Sequence, residues 1–404
     1  MAVLVQKFGG SSVADAGRIR AVANRVAAAV RRGDQVAVVV SAMGDTTDEL
    51  LELAAAVNPA PPGRELDALL ASGEQVSAAL VSMALAAQGI RAVSLCGWQA
   101  GIHTDRCHRK ASILHVDPRR VREELAAGKV AVVAGFQGLA DTQDVTTLGR
   151  GGSDMTAVAL ACALEAAACE IYSDVEGVYT ADPRLEPAAR KLSHLSYEEM
   201  LEMASLGAQV LQGRAVEYAM QHGVRIHARS TFSEGPGTMI EEAREMAAGA
   251  VVSGVAHDAK VAKICLLEVP DRPGIAEQLF SALATRQVNV DMIIQSVNRQ
   301  QVNDLCFTVS WEDLPAAREV SEAVAAQLGA TGVTWDDQVA KVSVVGAGMA
   351  ANPGVAATLF GALAREGINI EMISTSEIKI SCLIRAAEVQ RAVRAVHRAF
   401  DLGR

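Results

Sequence analysis

The chain has 404 residues, 50% hydrophobic and 21% charged, which is enough for two or three domains with substantial cores. Aromatics make up only 3%, so those cores are built from Ala, Val, Leu and Ile, and a net charge of −10 excludes nucleic acid or an anionic membrane as the main partner. Cysteines at 96, 107, 162, 169, 265, 306 and 382 show no CxxC and no regular spacing, which excludes a disulfide framework or a zinc site and fits a reducing compartment.

From residue 2 to about 230, short β-branched runs alternate with longer Ala/Leu-rich stretches. Val3-Leu4-Val5 reads as the first strand, with Lys7-Phe8-Gly9-Gly10-Ser11-Ser12 as the turn after it and Asp15 to Arg31 as a helix. Val36 to Val40 is a second strand, and Ser41-Ala42-Met43-Gly44-Asp45-Thr46-Thr47 follows it at the edge where open α/β sheets bind ligands. Asp48 to Val57 and Glu65 to Ala87 read as helices around the loop Asn58 to Gly63, and Ser72-Gly73-Glu74 interrupts the second of them. Pro118 to Ala127 is a helix, Val130 to Ala134 a strand, and Asp154 to Leu164 a helix opened by the glycine-rich turn Thr146 to Ser153. Ile171-Tyr172 is a strand followed by the long polar loop Ser173 to Arg184, and Val224 to Ile226 is another strand. Alternating strands and helices predict an α/β domain over 1–230, an open and mostly parallel sheet sandwiched by helices.

Two turns carry chemistry. Gly9 and Gly10 let backbone N–H groups approach phosphate oxygens, and Lys7 beside them supplies compact positive charge, although the sequence is not a Walker A loop. Arg150, between Gly149 and Gly151, offers a bidentate fork for a carboxylate or phosphate at a helix N-terminus. Asp154 is either an N-cap or part of that site, and Glu74 either lies on a solvated face or pairs with a substrate ammonium. The eight histidines show no HxxxH or HExxH spacing, so no metal-ligand set is expected.

Residues 231–260, with Ser233-Glu234-Gly235-Pro236-Gly237, read as a linker. Beyond it the sequence repeats at a constant offset of 80: Pro273-Gly274-Ile275-Ala276 returns as Pro353-Gly354-Val355-Ala356, and Val288-Asn289-Val290-Asp291 as Ile368-Asn369-Ile370-Glu371. That period suits a duplicated small domain, with units at 261–335 and 340–404, each a ferredoxin-like βαββαβ fold.

Taken together, Lys7 to Ser12, Val40 to Gly44, Gly149 to Asp154, Tyr172 to Arg184 and Ser374-Thr375-Ser376-Glu377-Ile378 resemble the aspartate kinases over the whole chain. The tandem repeat resembles their paired ACT domains, and the match is to the short bacterial class without a fused dehydrogenase. The resemblance implies transfer of the ATP γ-phosphoryl to L-aspartate with Mg2+, and feedback inhibition by lysine, threonine or both. It gives Lys7 and Asp154 the catalytic roles. It places ATP against Lys7, Phe8, Gly9, Gly10, Ser41, Ser173, Asp174, Tyr179, Thr180, Ala181, Asp182, Pro183 and Arg184. Aspartate falls to Thr47, Glu74, Arg150, Gly151, Gly152 and Ser153. Effector sites are expected at Asp271, Gly274, Ile275, Ala276, Asn289, Val290, Asp291 and Gln295, closed by Val355, Ala356, Asn369, Ile370, Ser376 and Glu377 across a seam between copies. A homo-oligomer is implied, or a heterotetramer whose small subunit starts internally near Met246. Gln209 stands where many relatives carry a lysine, which removes a second phosphate-neutralising cation.

Two rival classes are weaker. Gly346-Ala347-Gly348-Met349-Ala350-Ala351 fits a loose dinucleotide fingerprint, but the first repeat has no glycines in register and too little chain follows for a dinucleotide domain. An amino-acid-sensing module without catalysis leaves Lys7 and Arg150 in their glycine-rich turns unexplained. Another amino-acid kinase remains the alternative within the same fold.

Overall fold

The computed structural model describes residues 2–206, 210–243, 251–296, 302–349 and 351–404; Gln209 and Met246 lie outside these. The described chain divides into two units, one holding 2–178, 191–205 and 210–243, the other 179–190, 206 and the described residues from 251 onward.

The first unit runs β1 (Val3–Phe8), α1 (Ala16–Arg31), β2 (Gln35–Val40), α2 (Thr46–Val57), α3 (Gly63–Ala86), β3 (Ala92–Leu95), β4 (Ile102–Thr104), β5 (Ile113–Val116), α4 (Arg119–Ala126) and β6 (Val130–Ala134). It continues with β7 (Gln137–Leu139), β8 (Val145–Thr147), α5 (Gly152–Leu164), β9 (Ala168–Ser173), β10 (His194–Ser196), α6 (Tyr197–Ser205), α7 (Gly213–His222), β11 (Ile226–Ser230) and β12 (Thr238–Glu241). An eight-stranded sheet is ordered β10-β12-β11-β9-β1-β2-β6-β3, and every strand pair from β11 to β3 is parallel. Its strands are apolar on both faces (Val36 to Val40 and Val130 to Ala134 are all buried), as a sheet covered by helices on both sides requires. Asp15 caps α1 by accepting from the Arg18 N–H at 2.9 Å, and the helix buries Ile19, Val22, Ala23 and Val26 at helical spacing. Full burial of each such valine contributes about 1.5–3 kcal/mol. That stripe packs with Ala78, Val81 and Leu85 of α3 in one core with β1, β2 and β6.

The strands are longer than the sequence pattern suggests. Lys7 and Phe8 belong to β1 itself, because both pair with β2 and β9 through Val39, Val40, Ile171 and Tyr172. α5 begins at Gly152, two residues before the expected start, so Ser153 and Asp154 lie in its first turn. The small sheet β5-β4-β7-β8 has no strong periodic signal, being built of three- and four-residue strands. At 24 residues with mean hydropathy 1.4, α3 is long and apolar enough to cross a bilayer, but its buried face carries Asp67 and Glu74 and packs in this core.

The second unit runs β13 (Gly254–Pro270), α8 (Ile275–Thr285), β14 (Ile293–Gln295), β15 (Val302–Ser310), α9 (Leu314–Leu328), β16 (Gly332–Val345), α10 (Val355–Arg365), β17 (Met372–Thr375), β18 (Lys379–Arg385) and α11 (Val389–Ala399). α8 and α10 stand 80 residues apart, as the repeat requires, and the glycine of each Pro-Gly pair takes the left-handed conformation that starts the helix (Gly274 φ 94°, Gly354 φ 105°).

Both repeats share one six-stranded antiparallel sheet, β14-β15-β13-β16-β18-β17. The long strands β13 and β16 pair along their whole length. Gly254 to Asp258 join β16 beside the second repeat, and Lys263 to Leu267 join it beside the first, with register shifts around Val261 where each strand passes between them. The expected linker over 231–260 is corrected accordingly. It contains β12, which pairs with β10 and β11, and the start of β13, which supplies the fourth strand of the second ferredoxin-like repeat. Within one chain the two repeats thus join side by side through β13 and β16. One further expectation fails here. Cys265 and Cys306, opposite each other on β13 and β15 with Cα atoms 4.1 Å apart, form a disulfide; their separation of 41 residues gives no spacing signal, and only the antiparallel register brings them together. Gly346 of the glycine-rich run packs against backbone, since a Cβ there would lie 2.3 Å from the Val251 carbonyl oxygen.

Candidate active site

The carboxyl ends of β1, β2, β6, β9 and β11 lie along one edge of the large sheet, at the point where the chain leaves β1 for β2 on one side and β9 lies on the other. Open α/β sheets bind ligands at such a switch point. Lys7, near the end of β1, places its ammonium 2.6 Å from Asp154 Oδ1, a charge contact without hydrogen-bond alignment; the two side chains are only 12% and 9% exposed. Asp154 sits in the first turn of α5, where the helix dipole favours negative charge. Gly151 caps that turn in the left-handed conformation (φ 73°), and a Cβ on it would overlap the Gln212 side chain.

The Gly9-Gly10 turn is fixed by its neighbours. Gly9 donates to the Tyr172 carbonyl at 3.2 Å, and Gly44 donates to the Gly10 carbonyl at 3.1 Å. A Cβ on Gly10 would come 3.0 Å from the Ala42 carbonyl oxygen, a tight contact with backbone that glycine avoids where the two loops approach. Ser41 donates its N–H to the Phe8 carbonyl at 3.1 Å. The Phe8 ring is fully buried and stacks on Tyr172 at 4.8 Å, so its side chain belongs to the core and offers a nucleotide only backbone.

Glu74 is 3% exposed on α3, not on a solvated face. Its Oε1 accepts the Ala42 N–H at 3.1 Å, while Oε2 is buried without a partner. Burial pushes its carboxyl up to about 8, which the Ala42 hydrogen bond only partly offsets. A buried carboxylate with one free oxygen is suited to a cation that arrives with a ligand. Arg150 is exposed at the turn after β8, Thr47 is half-buried in the first turn of α2, and the Ser153 hydroxyl faces the backbone of Gly135 at the end of β6. Ser173 ends β9 and receives the Val175 N–H at 3.3 Å, and Asp174 beside it is exposed.

Residues 179–190 belong to the second unit, where the Thr180 hydroxyl meets His397 Nε2 at 2.9 Å and Ala181 is buried in the core around α10 and α11. Those two side chains are committed to that core, so only their backbone is left to meet a nucleotide. Asp182 and Arg184 pair with each other at 2.7 Å, Pro183 is exposed, and Tyr179 is half-buried. Sequence reasoning also passed over Asp67, which is fully buried seven residues before Glu74 on the same helix. A second acid at that helical interval was the available signal.

Comparison with known proteins fixes what this edge belongs to. The family model described as amino acid kinase family matches residues 2–230, and two ACT-domain models match 263–326 and 342–400. The aspartokinase of Mycolicibacterium smegmatis is 52% identical over 408 aligned positions, covering 100% of this chain and 97% of that protein. The chain belongs to the aspartokinase family. An aspartokinase of Thermus thermophilus is 53% identical, covering 100% of this chain and 99% of that protein. Among solved structures, aspartate kinase from Synechocystis aligns with a TM-score of 0.56 at 45% identity, covering 99% of this chain and 69% of that one. Escherichia coli aspartokinase III, solved with aspartate and ADP, shares the fold at a TM-score of 0.80 and 24% identity, covering 98% and 99%. An aspartokinase transfers the γ-phosphoryl of ATP to the β-carboxylate of L-aspartate, giving 4-phospho-L-aspartate, the first step toward lysine, threonine and methionine.

The aspartokinase ACT pair holds a cavity of about 200 Å³ at the first Pro-Gly turn, lined by Arg272, Gly274, Ile275, Ala276, Gln295 and Asn303 among others. Gly274, Ile275, Ala276 and Gln295 are therefore brought together as expected, whereas Asp271, Asn289, Val290 and Asp291 do not line it. Asp291 instead pairs with Lys341 of the other repeat, and Glu371, its counterpart at +80, pairs with Lys263 at 2.5 Å. These reciprocal ion pairs cross the junction of β13 and β16, so Asp291 is engaged within its own chain. In the second repeat, Val355 and Ala356 open α10, Asn369 and Ile370 precede β17, and Ser376 and Glu377 form the β17–β18 turn.

Proposed function

We propose that Lys7, with the Gly9 and Gly10 amides, holds the phosphoryl in flight, and that Asp154 orients Lys7. Glu74 takes the aspartate ammonium, Arg150 clamps its α-carboxylate, Thr47, Gly151, Gly152 and Ser153 line the remainder, and Ser41 lies on the ATP side. Ser173 and Asp174 contact the nucleotide. The Lys7–Asp154 pair at 2.6 Å carries this reading, because it sets a cation at a helix N-terminus beside the tightly packed Gly9-Gly10 turn. The substrate's own β-carboxylate is ionised at neutral pH and acts as nucleophile, so positioning and electrostatics suffice and no general base is needed. Among the described residues no three His, Cys, Asp or Glu side chains gather to hold a metal. One carboxylate plus substrate phosphates is nonetheless how magnesium is usually bound, and Asp154 fits that part. Magnesium bound there neutralises phosphate charge.

The cavity at the first Pro-Gly turn is proposed as the effector site for lysine, threonine or both. The turn's amides suit an amino-acid carboxylate, and Gln295 supplies a side-chain partner. Gln295→Ala should abolish inhibition and leave the uninhibited kcat within about two-fold, because an effector acts only through its differential affinity for two states. Steady-state ADP release with lysine and threonine added singly and together tests this; full sensitivity in the variant rules the site out.

We also propose a small subunit made of the ACT pair, translated from Met246. Intact-mass analysis of the expressed gene should show two products, and a single full-length chain contradicts it.

A further inference from the structure

The geometry points to Asp67 as the positioning residue of the aspartate end of the site. The inference rests on the reading that the Arg150 turn and Glu74 bind aspartate.

Asp67 is 0% exposed, yet among the described residues its carboxylate meets no lysine or arginine side chain. Its neighbours are donors from two separate segments. Thr147 donates its hydroxyl to Oδ1 at 2.6 Å, the Arg109 N–H lies 3.1 and 3.0 Å from the two oxygens, and His108 Nδ1 lies 2.8 Å from Oδ2. A buried carboxylate held almost entirely by neutral donors is expensive to desolvate, so such a group persists where its bonds fix geometry.

The segments it ties together are the ones that shape the Arg150 turn. Thr147 ends β8, three residues before Arg150, and its carbonyl accepts the Ala111 N–H at 2.9 Å. Arg109 adopts φ 69°, a left-handed conformation unfavourable for a non-glycine residue, and gives its N–H to Asp67. The Arg109 carbonyl oxygen in turn lies 3.0 Å from where a Cβ on Gly149 would stand, so the 108–111 loop is pressed onto the turn that presents Arg150. Glu74 stands seven residues further along the same face of α3 and holds the Ala42 N–H. Two turns of helix span about 10.5 Å. α3 is thus a ruler with a carboxylate at each mark: one sets the loop after β2, the other the turn after β8. The distance between the ammonium site and the α-carboxylate clamp follows from that spacing.

Asp67→Asn keeps size and shape but replaces one acceptor oxygen with an N–H donor. KM for aspartate should rise about ten-fold or more, since misplacement of about 1 Å is enough for such a loss. KM for ATP and kcat should each stay within about two- to three-fold. Thr147→Val, which deletes one bond and leaves the carboxylate, should raise KM for aspartate by a smaller factor, about three-fold, and it decides the matter if the Asp67 variant does not fold. Arg150→Ala serves as control: an unchanged KM for aspartate there defeats the reading of the turn itself. If Arg150→Ala raises that KM while folded Asp67→Asn leaves it within two-fold, or raises both KM values in parallel, Asp67 is only structural and the inference is overturned.

Discussion

Lys7→Ala should lower kcat about a hundred-fold or more, roughly 2.7 kcal/mol of transition-state stabilisation, in a protein that still folds. Lys7 lies in a strand with neighbours on both sides, so its ammonium is held in place before ATP arrives and needs no reorganisation during transfer. The substitution also leaves Asp154 buried without its cation, which by itself perturbs the site. The double variant Lys7→Ala with Asp154→Asn separates the effects. It relieves the orphaned charge, and kcat should stay low because the phosphoryl still lacks its cation. Recovery of wild-type kcat in the double variant would show that Lys7 only neutralises Asp154.

Glu74→Gln should reduce kcat/KM for aspartate about a hundred-fold at pH 8, within the range for truncating one partner of a buried charge pair in binding. The pH profile supplies the more specific test. In the free enzyme, burial lifts the Glu74 carboxyl from an ordinary 4.5 to about 8. The folded state therefore holds a proton that the unfolded chain has released, and the stability this gives, present at acid pH, is lost as pH rises from about 4.5 to about 8. Binding runs the other way, because the substrate ammonium favours the ionised carboxylate. For wild type, kcat/KM for aspartate should climb with pH up to about 8 and then level off. A Glu74→Gln enzyme that keeps the same rising limb would remove Glu74 from the ammonium site.

Much of this was legible in residue order, and the remainder failed for identifiable reasons. Val36 to Val40 and Val130 to Ala134 are runs apolar on every residue, and they form β2 and β6 within a residue of expectation. The constant offset of 80 placed α8 and α10. What a linear reading misses is pairing between distant segments. Gly254 to Asp258 look like linker because their partner, Lys341 to Val345, lies more than 80 residues further along the chain. Cys265 and Cys306 are separated in the same manner. Local pattern also says nothing about which face of a long helix is buried, so Glu74 stayed ambiguous until α3 was seen packed. In the loop from Tyr179 to Arg184 the long-range packing was hidden for a different reason. Its composition is that of a ligand loop, but Thr180 and Ala181 face the core of the second unit.

The most direct test is diffraction from the enzyme with aspartate and the non-hydrolysable β,γ-imido analogue of ATP. The account predicts the aspartate ammonium within about 3 Å of Glu74 Oε2, its α-carboxylate on Arg150, and the terminal phosphate in hydrogen-bond contact with the Lys7 ammonium. Aspartate bound away from Glu74, or a terminal phosphate out of reach of Lys7, would contradict it.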